Sequence, residues 1–131
     1  LDGSGLTPAN QVTCAALLAV LQQSKGTAVA TGLPIAAQTG TLRDEFVNTD
    51  VDGRLFAKTG TLGNPPAELP PLASKALAGY VPGGNGSTIE FVLILNETEI
   101  TDDVYRLFWA LFTERFATFP DVPERDELIP R

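Results

Sequence analysis

Lys58, Thr59, Gly60 and Thr61 stand side by side in the stretch Ala-Lys-Thr-Gly-Thr-Leu, residues 57 to 62, and together they suit the capture of an anion. Lys58 brings a positive potential and Thr59 a hydroxyl for a substrate carboxylate. Gly60 has no side chain, so an extended peptide can come close enough to add itself to the strand edge. The Thr61 backbone N–H then points at the incoming carbonyl, as half of an oxyanion hole. The same letters also describe a strand-end lysine in solvent beside a turn glycine, and the surrounding elements have to separate the two readings.

A near copy, Ala-Gln-Thr-Gly-Thr-Leu, occupies residues 37 to 42 and differs only in having Gln38 where the other has Lys58. Its neutral glutamine gives no reason to expect anion binding, and Gly40 and Thr41 read as a turn. A phosphate-binding loop is excluded for Lys58, because the required glycines before it are replaced by Ala57 and Asp52. A nucleophile elbow around Ser4 is excluded as well, since Asp2 and Leu6 occupy the flanking glycine positions.

The elements that must hold these residues can be read from periodicity and punctuation. Leu55, Ala57 and Thr59 alternate with Phe56, Lys58 and Gly60, which predicts a strand over about 53–61 with Lys58 and Phe56 on one face. Two further strands, about 76–81 and 88–95, flank Pro-Gly-Gly-Asn-Gly and predict a β-hairpin. Thr7 as cap and Pro8 in the first turn predict a core-packing helix over about 8–23, with Leu17, Leu18 and Leu21 on one face and a stop at Gly26. Leu42 to Phe46 reads as one helical turn carrying Arg43, Asp44 and Glu45 outward.

A second helix over about 102–117 follows Thr101, with Asp102 and Asp103 favouring its dipole. Its packing stripe reads as Val104, Leu107, Phe108, Leu111 and Phe112. Residues 63–71 hold four prolines and read as a loop, and 120–131 as an extended tail.

Composition narrows the chemistry. The 131 residues, 44% apolar, fit one domain, here residues 1–119 ahead of the tail. Nine Lys and Arg against sixteen Asp and Glu leave a net charge of −7, which repels nucleic acid. With no histidine, His-based triads and the common zinc sites fall away, and catalysis would have to use Lys, Ser, Thr or carboxylates. Cys14, between apolar neighbours, is expected to be a small buried hydrophobe. The longest apolar run, Val12 to Leu21, is about half the ~20 residues of a membrane span, so no transmembrane segment is expected. Leu1 opens the chain without Met or a leader, as a mature or excised piece would.

Four stretches in order resemble one family, the low-molecular-mass class C penicillin-binding proteins, which are D-alanyl-D-alanine carboxypeptidases and endopeptidases. Asp-Gly-Ser-Gly-Leu-Thr-Pro-Ala-Asn from Asp2 is similar to its Asp-Gly-Ser-Gly-Leu-Ser helix entry, and Leu33 to Leu42 to its Leu-Pro…Gly-Thr-Leu segment. Ala57 to Leu62 resembles its Lys-Thr-Gly box, and Leu77 to Val81 the strand after it. The resemblance implies an α+β fold, the C-terminal part of a penicillin-binding-protein or serine β-lactamase-like domain, with an antiparallel sheet packed by helices. It also implies serine acyl transfer on peptidoglycan stem peptides, inhibition by β-lactams, an extracytoplasmic location, and no metal or cofactor. Carried over, Lys58 is electrostatic and proton-network support, Thr59 and Thr61 contact substrate carboxylate and oxyanion, and Gly60 gives clearance.

The family uses two further boxes, Ser-x-x-Lys and Ser-x-Asn, and neither Ser4, Ser24, Ser74 nor Ser87 starts one. The nucleophile is therefore expected outside this chain, in an N-terminal part of the same protein, and the chain alone is expected to be inactive. Residues 63–71 depart from the family's tight turn and read either as a loop shaping substrate access or as a tolerated surface insertion. The alternative to an enzyme is a non-catalytic domain that keeps the fold to bind peptidoglycan or a partner protein. A β-lactamase or esterase relative would share the Lys-Thr-Gly logic.

Overall fold

The computed structural model describes residues 5, 9–63, 72–83 and 86–119. Thr7, Pro8, Gly84 and Asn85, most of the proline-rich stretch and the 120–131 tail lie outside the described residues. Three antiparallel strands, β1 (Phe56–Gly63), β2 (Leu72–Pro82) and β3 (Thr88–Ile100), form one sheet in that order. Helix α1 (Cys14–Ser24), a single turn α2 (Ala28–Thr31) and a 3-10 turn at Gly40–Leu42 precede the sheet, and α3 (Asp102–Thr118) follows it.

The strands start and end differently from the sequence reading. β1 begins at Phe56 rather than 53, because Arg54 and Leu55 still donate to Val51 in a turn and Gly53 takes a left-handed φ of 66°. β2 and β3 run longer than their apolar cores, pairing from Leu72↔Ile100 to Pro82↔Thr88. At the hairpin, Gly83 donates to Ser87 O and Gly86 has φ 79°, the conformation that glycine tolerates there.

Helix α1 starts at Cys14, six residues later than expected at Pro8, because Thr13 rather than Thr7 is its cap: the Thr13 hydroxyl accepts the Ala16 N–H at 3.1 Å. Residues 10 to 13 are not helical. Gly26, with φ 75°, lies two residues past the last helical position.

Two expectations for this helix are corrected. It buries none of its residues fully, and Leu17, Leu18 and Leu21 are half-buried, so it lies across one face of the sheet rather than inside a core. Cys14 is exposed, because it occupies the first position of the helix, at its open end. Polar contacts tie α1 to the sheet: Tyr80 donates its hydroxyl to Leu21 O at 2.6 Å, and Lys25 pairs with Glu90 at 2.7 Å.

The core lies on the other face, between the sheet and α3. Leu77 and Phe91 pack there with Tyr105 and Trp109, and the Phe91, Phe112 and Phe116 rings meet at centroid distances of 4.9 to 5.9 Å. The packing stripe read from the sequence is therefore corrected. Val104, Leu107, Phe108 and Leu111 face outward, from 41% exposed at Val104 to 59% at Leu107, while Tyr105, Trp109 and Thr113 are buried. Both sides of α3 are apolar, so a 3.6-residue period fits either one; the side with the larger rings is the one turned inward.

Candidate functional site

Strand pairing decides what β1 offers at its outer edge. The Ala57 N–H donates to Pro34 O at 3.0 Å and Leu55 O accepts from Ala36 N at 2.9 Å, so residues 34–36 run antiparallel beside the start of β1 through the Ile35↔Phe56 bridge. Backbone groups on one edge of a strand belong to alternate residues, so Thr59 and Thr61 turn their amides toward the same outer edge as Ala57. The added segment stops before them.

The loop that supplies this segment is tightly wound. Ala37 and Gly40 both have φ 58°, and a side chain at Gly40 would come within 3.0 Å of the Pro34 ring. The Ala37 amide is shared by the Leu42 and Glu45 carbonyls, at 2.9 and 3.0 Å, and the Thr39 hydroxyl accepts the Ile35 N–H at 2.9 Å. These bonds hold Thr41 against β1.

Period-two alternation then divides the four candidate residues between the sheet faces. Lys58 and Gly60 lie on the α1 side and Thr59 and Thr61 on the α3 side. The Lys58 ammonium curls over the edge and donates to Thr59 O at 2.7 Å. Among the described residues a Cβ at Gly60 would meet only Ala76 Cβ, at 3.3 Å, and beside it a cleft of about 600 Å³ is lined by Thr61, Ser74, Ile94 and Asn96. On the α3 side the Thr59 hydroxyl donates to Thr41 Oγ1 at 2.9 Å.

The structure adds residues that the sequence gave no reason to single out. Lys75, opposite Thr61 across the β1–β2 pair, donates to Thr61 Oγ1 at 3.0 Å and lies over the Tyr105 and Trp109 rings at 4.4 and 5.4 Å. Burial pulls its ammonium below the ordinary lysine value, while Glu45 and Asp102 act in the opposite sense. Glu45, expected to point outward, is turned to α3, where it accepts three hydrogen bonds from Arg106 and one from the Tyr105 hydroxyl at 3.3 Å. Burial, then Glu45, raises the Tyr105 pKa. The repeat of Thr-Gly-Thr was a signal for Thr41; for Lys75 and the Glu45–Arg106 pair, 61 positions apart, the sequence carries none.

The model of the D-Ala-D-Ala carboxypeptidase 3 (S13) family matches residues 1–106. The crystal structure of penicillin binding protein 4 (dacB) from Haemophilus influenzae is similar at a TM-score of 0.72 with 23% identity, and the match covers 88% of this chain and 26% of that one. The chain thus spans about a quarter of the length of the structure it matches, and the likeness shows the fold. No curated protein matches the chain.

Proposed function

Because the chain belongs to the D-Ala-D-Ala carboxypeptidase 3 (S13) family, we propose that it is the substrate-gripping part of a serine D-Ala-D-Ala carboxypeptidase that acts on peptidoglycan stem peptides and is acylated by β-lactams. Lys58 supplies positive charge at the β1 edge, Thr59 and Thr61 contact the substrate carboxylate, and the Thr61 N–H receives the oxyanion. Gly60 lets the extended substrate approach. The work is done outside the cytoplasm; no helix among the described residues is long and apolar enough to cross a membrane.

The observation that carries this reading is the half-covered edge of β1. Among the described residues, 34–36 pair with its start and leave the Thr59 and Thr61 amides facing outward beside the Lys58 ammonium. An extended peptide ending in a carboxylate could add there as a strand, with its charged end at the lysine.

The nucleophilic serine and its base belong to the remaining polypeptide, and this chain alone is inactive. That remainder also pairs with the outer edge of β3, which has no strand partner among the described residues. A fluorescent penicillin tests the reading. Labelling of the longer protein and none of this chain is the expected result; a longer protein that stays unlabelled would leave only a non-catalytic peptidoglycan- or protein-binding domain.

A further inference from the structure

Lys75 has no part in the reading above, yet it is a second cation beside β1, opposite Thr61 and on the other face of the sheet from Lys58. Its Nζ lies 3.0 Å from Thr61 Oγ1, and an ammonium has three hydrogens to give and no lone pair to receive one. Thr61 is therefore the acceptor in this bond, and its single hydroxyl hydrogen has to be donated elsewhere. Thr61 is exposed at the β1 edge, so that hydrogen is available to a ligand. A carboxylate only accepts, so this orientation decides whether the hydroxyl attracts it or repels it.

The position of Lys75 is fixed from behind by α3. Its Nζ lies over the Tyr105 and Trp109 rings; the Tyr105 hydroxyl donates to Glu45, and Arg106 holds Glu45 through both carboxylate oxygens. The Thr59 hydroxyl, in contrast, pairs with another hydroxyl, that of Thr41, and since either of the two can be the donor its hydrogen is free to turn to a ligand. We propose that Lys75 is a positioning residue of the carboxylate grip, holding Thr61 so that its hydroxyl donates outward to the carboxylate of a ligand lying along β1. This rests on the reading of Lys58 to Thr61 as that grip.

The arrangement depends on the charge of Lys75. Glu45 from the loop before β1 and Asp102 from α3 favour the ammonium, and Arg106 from α3 and Lys58 from β1 oppose it. Once neutral, the amine can accept from Thr61, the hydroxyl hydrogen turns inward, and the grip loses a donor.

The test follows Lys75 and Thr61 side-chain NMR resonances of this chain against pH, then measures binding of N-acetyl-D-alanyl-D-alanine and of its C-terminal amide. The expected result is a shared midpoint below the free-lysine value of about 10.4. Lys75→Met should remove the Thr61 transition and weaken the acid about tenfold, leaving the amide within about twofold. Lys75→Arg, which stays charged, should keep the preference for the acid with no transition. Thr61 titrating independently of Lys75 would overturn the proposal, as would equal weakening of acid and amide in Lys75→Met with normal folding. Failure of the enzyme reading is seen separately, as absence of penicillin labelling in the longer protein.

Discussion

Thr59 donates its hydroxyl to Thr41 at 2.9 Å, so the two copies of Thr-Gly-Thr-Leu in this chain touch each other. The neutral copy does not bind the anion in our reading; it forms the shoulder against which the charged copy is set. Replacing both threonines by valine tests how tightly the two are joined. A double-mutant cycle in urea should give a coupling of about 0.5–1 kcal/mol, modest because Thr41 is exposed. Additive losses would mean that the contact holds nothing in place.

Two glycines in the sheet should respond very differently to alanine. A Cβ at Gly79 would lie 2.0 Å from Phe56 O and 2.6 Å from Ala57 Cα, both backbone atoms, so β1 and β2 would have to separate. Gly79→Ala should cost about 3 kcal/mol or more by urea unfolding. Among the described residues Gly60→Ala meets only a methyl group, at 3.3 Å, and it should cost under about 1 kcal/mol while weakening a ligand that lies against the strand. Equal losses at the two sites would contradict the geometry.

Stability should rise with pH through the titration of Lys75. Its folded pKa is lowered by burial, so between that value and the ordinary lysine range the unfolded chain binds more protons than the folded one. Tyr80 and Tyr105, both raised first by burial, work the other way above about pH 10, where the unfolded chain loses their protons earlier. Unfolding free energies measured from pH 7 to 11 should therefore climb and then fall. In Lys75→Met the climb should disappear and the fall remain.

The two sides of α3 can be told apart by substitution. Trp109, 1% exposed and stacked on Phe46 at 5.8 Å, should cost about 3–5 kcal/mol when changed to alanine. Phe108→Ser, on the outward side, should alter the stability of this chain by no more than about 0.5 kcal/mol. A large loss at Phe108, measured by thermal or urea unfolding, would show that the outward stripe is covered in solution.

What the sequence revealed and what it hid follow from the range of the interactions. The alternation around Lys58 and the glycines before Ser87 are local signals, and they gave the strand, its two faces and the hairpin. The start of α1 turned on which of two threonines caps it, a choice between Thr7 and Thr13 that a single hydrogen bond settles. The stripe of α3 was misread because residues on both sides are apolar and only the sheet selects between them. Lys75 sits in an unremarkable Ser-Lys-Ala-Leu stretch; its importance comes from Thr61 across the strand pair and from rings some thirty positions away, which no local pattern encodes.

The segment 34–36 beside β1 gives the strand a polarity of access. It closes the edge as far as Ala57, and the part that no other described segment pairs with, from Lys58 to Gly63, measures roughly 20 Å at ~3.3 Å per residue. An extended chain laid there would abut residues 34–36 at one end. That abutment sets a limit on one side, and a stretch of this length is too short to template a long strand from a neighbouring molecule.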